Sequence, residues 1–140
     1  MVIDHIGVVV RSLEEGMQQW EGLFGYKKYS DVVHNSRQKV RVVFLSKANS
    51  LTVKLIEPSA PDSPVFHFAR KGGGLHHLCF RCADVASEMP LLEEKGAIPV
   101  VPPEPGEAFN NRLIAFLLAK NNLNIELIDT SEKKGWAGTQ

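Results

Sequence analysis

Four residues whose side chains could form a chemical site occupy matching positions in the two halves of this 140-residue chain. His5 and His77 are separated by 72 positions, and the same separation joins Lys54 to Glu126. The flanking residues match as well: Asp-His-Ile-Gly-Val at 4–8 aligns with His-His-Leu-Cys-Phe at 76–80, and Lys-Leu-Ile-Glu at 54–57 aligns with Glu-Leu-Ile-Asp at 126–129. Because one offset aligns two distant segments, the sequence predicts an internal duplication.

The matched residues include a typical ligand set for a divalent metal ion. Strand alternation places His5, His77, Lys54 and Glu126 on the same face of four predicted strands. Two imidazoles and one carboxylate hold a divalent ion while leaving open positions for substrate or water. We therefore predict a metal site at His5, His77 and Glu126 for an ion such as Co, Mn, Zn, Ni or Fe. Alternation turns His76 away from this face, where we expect it to be structural or to support a ligand.

Lys54 has an ambiguous role, because an ammonium group cannot bind a metal. It either pairs with Glu126 and weakens or excludes the metal, or it leaves a three-ligand site and reaches towards an anionic substrate. A desolvated lysine could also lose its proton and act as a base. Arg37, Lys39 and Arg41 on the preceding strand region could add positive charge nearby or form a solvated strand edge.

Each half of the chain has the pattern of a strand, a helix and three more strands. In residues 1–58 the pattern predicts a strand at 2–10, a helix from the capping box at 12–15 to Gly25, and strands near 27–34, 39–46 and 51–57. A linker at 59–74 contains a short helix at 65–71 and a triple-glycine hinge. In residues 75–130 we predict a strand at 75–83, a helix at 85–95 despite Pro90, and strands near 98–101, 112–119 and 123–130.

These elements predict a single α+β domain over residues 1–140. A sheet from one unit would leave an apolar face bare, so two tandem βαβββ units must form a curved mixed sheet around a cup-shaped site. The proline-rich segment at 102–111 is long enough to be a rim or lid of that cup. Residues 131–140 have the composition of a loose tail.

Composition limits the partners and the location of the protein. Sixteen basic and sixteen acidic residues balance to zero net charge, which argues against nucleic acid or a membrane surface as a partner. No apolar run approaches the ~20 residues of a membrane span, and no basic region precedes the first apolar run. We expect a cytoplasmic protein.

Cys79 and Cys82 should face opposite sides of a strand as buried thiols and not form a metal or redox pair.

Several stretches between about residues 3 and 129 resemble the vicinal oxygen chelate superfamily of paired βαβββ units. Within it they are most similar to the methylmalonyl-CoA epimerase family, and the Asp-Ser-Pro helix followed by Gly-Leu-His-His is fairly specific to that branch. The matching stretches are Ile3-Asp-His-Ile-Gly-Val-Val-Val, Val40-Arg-Val-Val-Phe-Leu, Leu55-Ile-Glu-Pro, Pro61-Asp-Ser-Pro-Val-Phe-His-Phe, Gly74-Leu-His-His-Leu-Cys-Phe and Asn124-Ile-Glu-Leu-Ile-Asp.

The resemblance implies roles for the matched residues and departures from the family pattern. His5, His77 and Glu126 match the family's metal ligands, whereas Lys54 stands where the family has a fourth ligand, Gln or Glu. Arg37 stands where the family has a glutamate thought to act as a base, and residues 106–111 replace its Gly-Ala-His-Gly loop. Glu126 and Lys54 are then the candidate catalytic residues, and Arg37 and Lys54 the candidate substrate-binding residues.

The resemblance also implies a reaction class and partners. We expect an isomerase or epimerase acting on a small anionic substrate, an acyl thioester of CoA or a carrier or a related enolisable carboxylate, and a homodimer. Epimerisation needs proton removal on one face and delivery on the other. With one base position changed, methylmalonyl-CoA itself is not the expected substrate.

Two alternatives remain open. Two histidines and one glutamate at these strand positions are also the ligand set of ring-cleaving dioxygenases in this superfamily, which iron dependence and oxygen uptake would reveal. Alternatively the chain is a metal-free small-molecule binding protein resembling the bleomycin-resistance proteins, in which Lys54 takes the place of the metal by pairing with Glu126.

Overall fold

The computed structural model describes residues 1–136, which form nine strands, three α-helices and one 3₁₀ turn. The first half contains β1 (Val2–Val9), α1 (Leu13–Phe24), β2 (Lys27–Lys28), β3 (Val33–Asn35), β4 (Val40–Ser46) and β5 (Thr52–Pro58). The remainder contains α2 (Phe66–Arg70), β6 (Gly74–Arg81), α3 (Val85–Glu94), β7 (Ile98–Gly106), the 3₁₀ turn (Glu107–Phe109), β8 (Arg112–Ala119) and β9 (Leu123–Ile128). None of the helices in this part of the chain is long and apolar enough to cross a membrane.

All nine strands belong to one mixed sheet. Its order is β2-β4-β5-β1-β6-β9-β8-β7, with β3 also paired to β4. Strand β1 runs parallel to β5 and β6 runs parallel to β9, while the other neighbours are antiparallel. Two βαβββ units therefore join along the antiparallel β1–β6 pair, which confirms the predicted α+β fold.

The strand register and the helix caps preserve the predicted duplication. Ile6 pairs with Val53 on β5, and the residues 72 positions later, Leu78 and Ile125, pair in the same way. Helices α1 and α3 also begin in the same way. Ser12 accepts a hydrogen bond from the backbone N–H of Glu15, and Asp84 accepts one from that of Ser87, so each N-cap satisfies a donor that the first helical turn leaves unpaired.

Apolar residues cover both faces of the sheet. One cluster packs beneath α1 around Leu13 and Leu55, and another packs beneath α3 around Val85 and Leu127. A third cluster, drawn from both halves, fills the opposite, concave face, which we call the cup. Cys79 lies in the cup cluster and Cys82 packs against the α3 cluster, so the two thiols face opposite sides as predicted, although Cys82 is only half-buried.

Two predicted strand boundaries are wrong. The predicted strand at 27–34 is interrupted between β2 and β3, where the backbone N–H of Asp31 bonds to the carbonyl of Lys134 and not to a strand. Strand β7 continues to Gly106 through three more prolines, which an edge strand with two register shifts can accommodate. Segment 102–111, predicted to be a rim or lid of the cup, is therefore an edge strand that continues into a 3₁₀ turn, and Phe109 is 1% exposed within the cup core.

The end of the described chain is not loose. Residues 131–136 lie against the rest of the fold, where the N–H of Lys134 donates to the carbonyl of Ala108. The side chain of Lys133 is only 3% exposed. The remainder of the predicted tail, 137–140, lies outside the described residues.

Candidate metal centre

The three predicted ligands meet at the inner end of the cup, on three neighbouring strands. His5 on β1 and His77 on β6 each direct Nε2 at the same carboxylate oxygen of Glu126 on β9, at 3.1 and 3.0 Å. Donor atoms of the three side chains all lie within 4.8 Å of one another. His5 and Glu126 are fully buried and His77 is nearly so.

The electrostatics of the triad suit a metal, because ligands must be deprotonated to bind one. Burial lowers the pKa of His77 to about 4, so its imidazole is neutral at pH 7. Burial alone would raise the pKa of Glu126, but the charge of Lys54 and the close contacts with the His5 and His77 rings lower it well below its ordinary value. Glu126 therefore carries a negative charge beside a neutral imidazole.

The hydrogen bonding of His5 tests whether these residues fit a cation. Its Nδ1 lies 2.7 Å from Asp4 Oδ2, while its Nε2 lies 3.1 Å from Glu126 Oε1. A neutral imidazole has one N–H, and once Nδ1–H donates to Asp4, Nε2 presents a lone pair to a carboxylate oxygen. That contact requires either a second proton on the ring or a metal ion at Nε2. A carboxylate that anchors the far nitrogen is also how metal-binding histidines are usually oriented, so the donor set fits a divalent ion.

Two β-bulges bring unpredicted side chains to this centre. Between Ile3 and His5 the β1–β6 register shifts and leaves Asp4 as the extra residue. An equivalent shift leaves His76 as the extra residue on β6, because Gly7 pairs with His77 and Val8 with Leu75. A bulge re-aims the side chain it carries. Asp4, which sequence reasoning missed, thus contacts His5.

The prediction that His76 faces away from the cup is wrong for the same reason. Its Nδ1 lies 3.0 Å from Nδ1 of His77, and its ring lines the cavity described below. His76 and Asp4 are related by the 72-residue offset, and each contacts the histidine that follows it. In the sequence, the alignment of Asp4 with His76 by the 72-residue repeat was the signal that pointed to Asp4.

Lys54 lies beside the triad. Its Nζ is 3.4 and 3.5 Å from the two carboxylate oxygens of Glu126, and it is 5.2 Å from the ring centroid of Phe109. The structure thus brings Lys54 next to Glu126, as the interpretation in which these two residues pair requires. A divalent ion bound to Glu126 would repel an ammonium group on the same carboxylate.

A cavity of about 450 Å³ leads to this centre. Lys54 and His77, both buried, form its inner end, whereas His5 and Glu126 are fully buried and do not line it. Arg37 lines the cavity from the exposed turn between β3 and β4, so it stands at the rim. Apolar side chains such as Val42, Ile56 and Phe116 account for much of the remaining wall. The cavity wall is therefore largely apolar, with Lys54 at the inner end and Arg37 at the rim.

Lys39 and Arg41 do not contribute to the lining of this cavity. Lys39 forms an ion pair with Asp62. Arg41 pairs with Glu57 and Glu14, at 2.8 and 3.1 Å. These carboxylates neutralise the charges of Lys39 and Arg41, and Arg41 lies on β4 between β3 and β5 and not at an edge of the sheet.

Comparisons with known proteins identify the family. The sequence model of the glyoxalase/bleomycin resistance protein/dioxygenase superfamily matches residues 4–116. The uncharacterized protein YqjC of Bacillus subtilis is 32% identical over 135 residues, covering 95% of this chain and 93% of that protein. Methylmalonyl-CoA epimerase of Dictyostelium discoideum is 26% identical over 133 residues, covering 94% and 78%.

Solved structures agree with the sequence comparisons. A variant of Streptomyces coelicolor methylmalonyl-CoA epimerase, in complex with 2-nitronate-propionyl-CoA, superimposes with a TM-score of 0.81 at 27% identity. That match covers 93% of this chain and 97% of the epimerase. The chain therefore belongs to the glyoxalase/bleomycin resistance protein/dioxygenase superfamily, the vicinal oxygen chelate proteins that its sequence resembles.

Proposed function

We propose that this protein is a metal-dependent isomerase or epimerase that acts on a small anionic acyl thioester or a related enolisable carboxylate. The observation that carries the proposal is the convergence of His5, His77 and Glu126 immediately behind the inner end of a cavity. The relatives named methylmalonyl-CoA epimerase support the thioester class.

The triad, Asp4, Arg37 and the apolar cavity wall would each have a separate role in such a reaction. An ion held by His5, His77 and Glu126 would supply Lewis-acid chemistry, which polarises a carbonyl oxygen. Asp4 holds the His5 ring in the orientation that turns Nε2 inward. Arg37 at the rim would contact an anionic part of the substrate, and the apolar wall would exclude water from the reacting carbon.

Lys54 is the candidate proton carrier, because its amino group is at the inner end of the cavity beside the triad. As an amine it would take the proton from the carbon next to the thioester carbonyl. The electron pair of that C–H bond would remain on the substrate as an enolate, and the resulting ammonium group would return the proton to carbon. The simplest activity expected from this step is therefore exchange of the substrate's α-proton with solvent.

Proton exchange tests this function directly. We expect the protein, loaded with Co²⁺, to incorporate deuterium at the α-carbon of an anionic 2-methylacyl-CoA thioester in D₂O, as measured by NMR. Lys54→Met should lower the exchange rate roughly 100-fold or more, the usual contribution of a proton-transferring residue. Lys95→Met, an exposed lysine at the end of α3, is the matched control and should leave the rate unchanged. Equal exchange rates in the Lys54→Met variant and the wild type would contradict the role of Lys54.

A second candidate function, metal-free binding of an anionic small molecule, is favoured by one observation. Lys54 Nζ lies close to both oxygens of Glu126, so its charge balances the buried carboxylate without an ion. This function predicts no metal in protein purified without chelators and no change in melting temperature when metal is added. It also predicts saturable binding of an anionic ligand that the Lys54→Met variant loses.

A further inference from the structure

A lysine from the end of the described chain is buried next to the candidate metal centre. Lys133 belongs to residues 131–136, which we call the C-terminal strap, and its side chain is 3% exposed. Its Nζ lies 3.1 and 3.3 Å from the two carboxylate oxygens of Asp4 and 3.2 Å from the carbonyl of Ser131. A buried ammonium group is costly unless it is paired and hydrogen-bonded, so Lys133 depends on Asp4.

Asp4 in turn connects Lys133 to the triad. The same carboxylate accepts a hydrogen bond from Nδ1 of His5 at 2.7 Å, and Arg81 approaches it at 3.1 Å from a side chain that is 40% exposed. The side chain of Asp4 is 5% exposed. Lys133 is therefore the buried counter-charge of the carboxylate that orients a predicted metal ligand.

Aromatic rings fix Lys133 relative to the other site residues. The ring centroids of Phe44 and Phe109 lie 5.2 and 5.5 Å from Lys133 Nζ, and 5.9 and 5.2 Å from Lys54 Nζ. The His5 ring contacts the same two rings, edge-on to Phe44 at 5.2 Å and stacked on Phe109 at 6.1 Å. One pair of phenylalanines thus holds His5 and both buried lysines together.

The strap is anchored by the three residues that follow Lys133. The backbone of Lys134 donates to the carbonyl of Ala108, next to Phe109, and accepts from the N–H of Asp31. Gly135 has a φ of 82°, and a Cβ there would overlap the carboxylate of Asp31, so this close turn requires glycine. Trp136 then packs edge-on against Tyr29. These contacts place the Lys133 side chain independently of any ligand.

We propose that Lys133 is a positioning residue that holds the carboxylate of Asp4 in place. Through Asp4 it keeps the proton of the His5 ring on Nδ1, so that Nε2 faces the metal site with a free lone pair. The C-terminal strap, which follows β9 and Glu126, thereby supports a ligand on β1 at the other end of the chain. The inference rests on the proposed metal site for its consequence, but the Lys133–Asp4–His5 connection is testable in metal-free protein.

The test compares Lys133→Met with Arg81→Met. Methionine preserves the apolar contact with Phe44 and Phe109 while removing the charge and the donors. In metal-free protein, we expect Lys133→Met to change the ¹H–¹⁵N signals of the His5 ring, which report its tautomer. We also expect its Co²⁺ affinity to fall about 10- to 100-fold, the usual effect of losing a residue that supports a metal ligand. Arg81→Met removes a partly exposed contact to the same carboxylate and should cost less than about fivefold.

Three further outcomes distinguish the positioning role of Lys133 from misfolding and from the proposed metal-dependent function. Lys133→Arg retains the charge and should restore the His5 signals and most of the affinity; a loss as large as that of methionine would overturn the proposal. Unchanged His5 signals and Co²⁺ affinity in a folded Lys133→Met variant would also overturn it. If the wild type binds no metal but Lys133→Met still changes the His5 signals, the positioning role is supported and the proposed function fails.

Discussion

Replacing Glu126 by glutamine should abolish stoichiometric metal binding and destabilise the fold. The change removes the only negative charge among the three predicted ligands and leaves the buried Lys54 ammonium without its counter-charge. Breaking a buried pair by removing one partner typically costs about 3–5 kcal/mol. Metal content of the purified variant and its free energy of unfolding in urea measure the two effects.

A double variant separates the two effects of the Glu126 substitution. Glu126→Gln combined with Lys54→Gln removes both charges, so it should recover most of the lost stability because no unpaired buried charge remains. It should still fail to bind metal, since the carboxylate ligand is gone. A single Glu126→Gln variant that retained stoichiometric metal would contradict the assignment of Glu126 as a ligand. A double variant no more stable than the single variant would contradict the role assigned to the Lys54–Glu126 pair.

Gly7→Ala should displace His77 and remove the metal site without touching a ligand. Gly7 pairs with His77 across the β1–β6 ladder, and a Cβ at Gly7 would overlap the imidazole ring. The ring must leave its position next to Glu126, because the backbone of a central strand cannot move away easily. Overpacking of this kind costs about 1–3 kcal/mol. We expect the variant to fold, to melt at a lower temperature and to contain no stoichiometric metal.

The matched control for this steric prediction is Gly22→Ala. Gly22 lies within α1, and a Cβ there would have no neighbour within 4 Å. Alanine favours a helix over glycine by about 0.5–1 kcal/mol, so this variant should be at least as stable as the wild type and should bind metal normally. Normal metal content in a folded Gly7→Ala variant would show that the His77 ring is not confined as described.

Local periodicity was enough to predict most of the fold and the convergence of the four matched residues. Whether His5 and Lys54 share a face of the sheet depends only on alternation along their strands. The 72-residue repeat then predicts that His77 and Glu126, at the equivalent positions, lie on that face as well. The repeat was informative because the second unit preserves the strand register of the first, as the equivalent pairs Ile6–Val53 and Leu78–Ile125 show.

The features that sequence reasoning missed depend on contacts between distant segments. A bulge is created where two strands pair, so nothing local distinguishes Asp4 or His76 from a regularly alternating residue. Lys133 stands in a polar segment without apolar periodicity, and its burial depends on an acceptor more than 120 positions away. Phe109 was placed in a rim or lid segment because prolines are rare in strands, and the prolines before it concealed that β7 continues to Gly106.

The metal content of protein purified without chelators, compared between the wild type and Lys54→Gln, tests the central claim most directly. Glutamine matches the residue that the epimerase family places at this position, and it removes the charge that competes for Glu126. The proposed function predicts stoichiometric divalent metal in both proteins, because His5, His77 and Glu126 hold the ion and Lys54 tolerates it. Stoichiometric metal in the glutamine variant alone, or in neither protein, would contradict that claim.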